Sequence, residues 1–156
     1  MFFFFSNYYL LMENFFILGN HQGNNCGTIQ ITGNKFNKKI DNNLILSHII
    51  NVFNNAIIIS ETYFNCQQII LEADLSGVSF NHIDTDFIKK LTIILQNKYP
   101  NRLSKCYISN PPVIFTSVWN LIKKLIDKKT REKVVFVRIV DKYDTKECAH
   151  NNSILN

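Results

Sequence analysis

Apolar and polar positions along the chain follow two alternating periods. Residues 27–32, entered and left through Gly27 and Gly33, predict a strand. Over 44–53 the apolar residues recur at helical spacing and put Ile45, Ile49, Val52 and Phe53 on one face. Residues 68–74 predict a second strand, which stops at Ser76-Gly77. The clearest helix covers 84–98. Phe87, Leu91, Ile94 and Leu95 stack on one side, and Asp84 and Asp86 sit at the positive end of its dipole. Pro100 lacks an N–H and ends it. A strand at 105–109 leads into the rigid turn Asn110-Pro111-Pro112. A second amphipathic helix at 114–126 turns Phe115, Val118, Trp119, Ile122 and Ile126 inward. The final strand, 134–140, is apolar on both faces except at Arg138.

The order β-α-β-α-β-α-β predicts an α/β fold, with a mainly parallel sheet as floor and helices packed on it. Strands apolar on both faces are expected inside such a sheet. Strand order is not readable from this pattern. The domain is expected to cover 15–141. Before it lies an apolar segment, 1–14, part of a Phe-rich stretch that lacks the positive start and small-residue cleavage site of a secretory signal. Asn7, Glu13 and Asn14 interrupt a membrane span there, so buried strand or helix is expected, with targeting or anchorage as the alternative. From 142 to 156 apolar periodicity fades, and a poorly ordered tail is expected.

Composition changes this picture little. The 156 residues suit one domain, and 46% apolar against 19% charged residues excludes a disordered chain. Thirteen Phe and six Tyr suit a packed core or an apolar pocket. Asparagine is dense at 20–25, 37–43 and the C-terminus, which reads as compositional bias.

The net charge of +5 is concentrated at Lys123, Lys124, Lys128, Lys129, Arg131 and Lys133. Such a run fits phosphate on a membrane, a lipid headgroup or a nucleic acid, or else a solvated helix end. The aromatic residues fall at core-facing positions rather than among these cations, so nucleic acid is not expected as a partner. Cys26, Cys66, Cys106 and Cys148 contain no close pair, which argues against zinc and for reduced thiols in a cytosolic setting. The first three recur at an even interval, each near the start of a predicted strand. No nucleotide-binding glycine motif, P-loop or nucleophile elbow is present, and His21, His48, His82 and His150 show no paired spacing. Asp74-Leu75-Ser76-Gly77 reads as a turn. No catalytic residue, metal or cofactor is expected.

One stretch carries a more specific signal. Gln96-Asn97-Lys98-Tyr99-Pro100-Asn101-Arg102-Leu103 is followed by Lys105-Cys106-Tyr107-Ile108-Ser109-Asn110-Pro111-Pro112, then Ile114-Phe115, Trp119 and Leu125-Ile126-Asp127. Thr130 and the run 133–137 complete it. The order resembles the CRAL-TRIO family pattern: a helix ending in Y-P-E-R-L, a strand leading to N-x-P, an F-x-x-x-W helix, then T-x-x-K and an apolar strand. Asp74 and Gly77 are similar to the strand end that precedes it. The similarity is convincing over 68–137.

The resemblance implies an apolar cavity for a phospholipid, tocopherol, retinoid or similar ligand. In the phosphoinositide-transfer branch, the threonine and lysine of T-x-x-K contact the inositol phosphate. Thr130 and Lys133 stand there, and both are hydrogen-bond donors suited to phosphate oxygens. Asn101 replaces the glutamate that helps to position that lysine. With Arg102 these residues form the expected headgroup group, and Tyr107, Phe115 and Trp119 the expected apolar lining. The family's N-terminal helical segment and most of its C-terminal part, with the gate helix, have no match, so a cavity that stays open, binds lipid weakly or closes by dimerisation is expected, with a fragment or degenerate copy as the alternative. The implied function is binding, and intermembrane transfer, of a phospholipid such as phosphatidylinositol by a cytoplasmic protein in transient contact with membranes. The alternative is an interaction or regulatory module without a lipid cavity.

Overall fold

Three of the four α-helices among the described residues begin where an aspartate supplies a cap. Asp41 accepts hydrogen bonds from the N–H groups of Asn43 and Leu44 and opens α1 (Asn42–Phe64), and Asp84 does the same for Asp86 and Phe87 at the start of α2 (Thr85–Lys98). The computed structural model describes residues 14–18 and 25–137. The remaining helices are α3 (Phe115–Leu125) and the short α4 (Lys128–Glu132), which Asp127 caps. The strands are β1 (Phe15–Leu18), β2 (Gly27–Thr32), β3 (Ile69–Asp74), β4 (Leu103–Ser109) and β5 (Val134–Val137).

They form one sheet in the order β1-β2-β3-β4-β5. β2 to β5 are parallel, and β1 adds to the edge antiparallel to β2. The sheet therefore grows in one direction, and crossovers of a single hand carry the helices to one face. The register identifies that face. Ile29, Leu71, Cys106 and Val134 are aligned across β2 to β5, and Ile31, Ala73, Ile108 and Phe136 form the next row on the same side. Ile29 and Ile69 pack with Ile45, Ile49, Val52, Phe53 and Ala56 of α1 and with Phe87 of α2. Farther along, Trp119 and Phe115 of α3 meet Phe136 edge-on, with ring centroids 5.3 and 6.4 Å apart.

The α/β architecture with a mainly parallel sheet is as the sequence predicts, with some corrections. α1 runs eleven residues past the predicted end at Phe53. β4 starts at Leu103 rather than Lys105. α4 forms a separate short helix because Asp127 supplies a new cap. Among the described residues β5 lies at the sheet edge and leaves Phe136 46% exposed, although its apolar sequence predicts an interior strand. The predicted remainder of that strand, 138–140, the N-terminal residues 1–13, the tail 142–156, Cys148, His21 and His150 lie outside the described residues.

Candidate functional site

An apolar cavity of about 320 Å³ lies between the helix-covered sheet face and α2 and α3. The parallel register brings Leu71, Cys106 and Val134 into its floor, and the helical period puts Leu95 of α2 and Ile122 of α3 in its walls. Its size is at the lower end of small-molecule pockets, which run from about 300 to 1,000 Å³. Burial pushes the Cys106 thiol up to about 12, so it stays protonated and behaves as a small apolar group.

Polar groups collect at the mouth, near the N-terminal ends of β4 and β5. Asn101 and Arg102 come from the turn after α2, and Asp127, Lys129, Thr130 and Lys133 from the α4 segment. The four residues expected at a headgroup are thus brought together, and each has a structural task. Lys133 donates from Nζ to the Leu103 carbonyl oxygen at 2.5 Å, which ties the start of β5 to that of β4. Thr130 donates its N–H and its hydroxyl to the Asp127 carboxylate at 2.9 and 2.8 Å. Those two bonds, the backbone one first, hold the Asp127 carboxyl down at about 2, and Gln96 contributes another at 3.0 Å.

Arg102 donates to Glu61 at 2.6 Å and to the Gln67 carbonyl oxygen at 2.9 Å. Asn101 adopts a left-handed backbone with φ 60°, and its carbonyl oxygen accepts from Gln68 Nε2 at 3.2 Å. The partner of the Lys133 ammonium is thus a backbone carbonyl rather than a carboxylate. Tyr99 anchors the turn: its hydroxyl donates to Asn54 at 2.7 Å, and its ring stacks on Phe53 at 5.2 Å.

The expected apolar lining divides between two faces. Phe115 and Trp119 line the cavity. Tyr107 does not, because alternation along β4 directs it to the opposite face from Cys106 and Ile108, in register with Glu72 and Val135. Asp127, Gln96 and Cys106 belong to the site without having been singled out for it. An aspartate three residues before Thr130 is a readable capping signal. The positions of Gln96 and Cys106 required the helix packing and the strand register.

At the other end of the sheet, where α/β folds usually collect ligands, the strand ends are tied together. Asp74 accepts from Ser76 N–H and hydroxyl at 2.9 and 2.7 Å, and Asn110 Nδ2 donates to Ser76 Oγ at 2.9 Å. Asp74-Leu75-Ser76-Gly77 is thus a turn, with Gly77 at φ 69°. Among the described residues no group of three or more His, Cys, Asp or Glu is arranged to hold a metal ion.

These features define a parallel-sheet domain with an apolar cavity opening at a polar, largely cationic mouth. The chain belongs to the CRAL/TRIO domain family, whose model matches residues 11–152. It is 33% identical over 73 residues to the phosphatidylinositol transfer protein CSR1 of Eremothecium gossypii, covering 47% of this chain and 17% of that protein. It is 38% identical over 63 residues to the Sec14 cytosolic factor of Schizosaccharomyces pombe, covering 39% of this chain and 22% of that one. With the phosphatidylinositol transfer protein SFH5 of Saccharomyces cerevisiae it is 40% identical over 65 residues, covering 40% and 22%. The crystal structure of Sfh5 matches the fold with a TM-score of 0.70 at 23% identity, over 81% of this chain and 49% of that chain. The chain thus spans about half of that solved structure, and its matched stretches span less than a quarter of the curated relatives.

Proposed function

We propose that this chain binds a phospholipid, of the phosphatidylinositol class, and carries it between membranes on the cytosolic side. Lys133 and Thr130 would meet the headgroup phosphate, with Asn101 and Arg102 beside them. The observation that carries this reading is the joining of an apolar cavity to a mouth where Lys129, Thr130 and Lys133 gather. An ammonium has three donors, so Lys133 can keep its bond to Leu103 and still donate to phosphate. Thr130 offers phosphate its proton only by releasing Asp127. Each methylene buried in the cavity contributes about 0.8 kcal/mol. At about 320 Å³ the cavity takes part of a two-chain lipid rather than all of it. The names of the relatives support the lipid class.

A second reading, an interaction module that keeps the fold without a lipid, is favoured by the internal pairing of Thr130 with Asp127 and of Arg102 with Glu61. Binding to vesicles with and without phosphatidylinositol separates the two. Lys133→Ala is expected to weaken binding to phosphatidylinositol vesicles about ten-fold or more, since a charge-assisted hydrogen bond contributes about 1.5–3 kcal/mol. Lys128→Ala, at an 84% exposed side chain, is expected to matter less, and mainly at low salt. Equal salt-dependent losses in both variants would reduce the site to a diffuse basic surface. No loss in either would favour the module.

A further inference from the structure

The even spacing of cysteines has a structural consequence apart from the cavity. Cys26 and Cys66 precede adjacent parallel strands, β2 and β3, whose registers begin by pairing Gly27 with Ile69. One β–α unit therefore separates them in sequence and returns the chain to the same end of the sheet. Their sulfurs lie 2.9 Å apart, and both are free thiols. Cys26 is 8% exposed, whereas Cys66 is half-buried and accepts a hydrogen bond from Gln68 N–H at 3.4 Å.

We propose that Cys26 and Cys66 form a reversible oxidation site, at which a peroxide converts the two thiols into an intramolecular disulfide. Cys66, the more accessible, reacts first. Its sulfur attacks one peroxide oxygen, the O–O bond breaks, and the departing hydroxide takes up the thiol proton as water, leaving a sulfenic acid. The Cys26 sulfur then attacks the Cys66 sulfur. The S–O bond breaks, and a second water leaves with the Cys26 proton. In sum, two thiols and one hydrogen peroxide give one disulfide and two waters.

The approach still required is small, since a disulfide is about 2.05 Å long and the sulfurs start 2.9 Å apart. The division of roles has a chemical basis. Burial, reinforced by the neighbouring Cys66 sulfur, pushes the Cys26 thiol up to about 11 and keeps it protonated, which makes it the poorer first nucleophile and leaves the first step to the more accessible Cys66. The bond would also fasten a segment that supports the cavity mouth, because Gln67 and Gln68 hold Arg102 and Asn101. The proposal does not depend on a lipid being bound.

The test uses the full chain, treated with hydrogen peroxide at equal concentration, blocked with iodoacetamide, and followed by intact mass and peptide mapping. The expected result is a loss of two hydrogen atoms, a cross-linked peptide pair containing Cys26 and Cys66, and full reversal by dithiothreitol. The Cys66→Ser variant should give no such pair while keeping the wild-type circular dichroism. Alkylation of both cysteines as thiols after treatment would overturn the proposal. So would over-oxidation of Cys66 without a cross-link, or a bond from either cysteine to Cys106 or Cys148.

Discussion

Asn101 turns the chain from α2 into β4 with φ 60°, and Asn65 and Asn110 take the same left-handed conformation at φ 50° and 51°. Asparagine tolerates this region, whereas a β-branched residue is disfavoured there by about 1–2 kcal/mol. Asn101→Val is therefore expected to lower stability by about that amount in urea titration, and Asn101→Gly to leave it nearly unchanged. In the sequence these asparagines disappear into a chain-wide bias, because dihedral angles leave no compositional mark. The carboxylates make a second prediction. Asp127 is held at about 2 by Thr130, Asp84 is lowered mainly by the Phe87 N–H, and Asp74 mainly by the Ser76 hydroxyl. In the unfolded chain such groups titrate near about 3.9. On acidification the unfolded state takes up protons first, so the stability from these bonds is complete above about pH 4 and lost as pH falls toward about 2. Melting temperature against pH should show this decline, with a shallower slope in Asp127→Asn.

The element scale accounts for where α1 sits and for why its length was hidden. Its first half shows the helical period clearly, but Asn54 and Asn55 interrupt the pattern and Ile57, Ile58 and Ile59 follow without a period. The second half faces the sheet with small residues, Ala56 and Ser60, both fully buried. They leave room for Gly27, whose N–H donates to Ser60 Oγ while that hydroxyl donates to the Gln68 carbonyl oxygen at 2.8 Å. A methyl group at Gly27 would meet the Ala56 carbonyl oxygen at 2.3 Å. Gly27→Ala is accordingly expected to destabilise the protein by about 1–3 kcal/mol, read from the denaturation midpoint. The helices 84–98 and 114–126 were legible to within a residue or so because one strong apolar stripe and a capping or breaking residue marked each.

On the scale of the whole molecule, the mainly parallel sheet followed from the alternation of strands and helices, and the family from an ordered set of local motifs, Y-P, N-x-P, F-x-x-x-W and T-x-x-K. The resemblance also implied the cavity, and Phe115 and Trp119 reach it from α3, but strand register turns Tyr107 to the other face of the sheet, which no local motif reveals. The mouth was legible as residue types, but the pairings that already occupy Thr130, Arg102 and Lys133 were not. Those pairings make occupancy the decisive question. Native mass spectrometry of the full chain, stripped of lipid and incubated with vesicles of mixed phospholipids, measures it directly. The expected result is a one-to-one adduct at the mass of phosphatidylinositol, enriched over its share of the vesicles. Only the bare protein mass, from a sample with native circular dichroism, would contradict it.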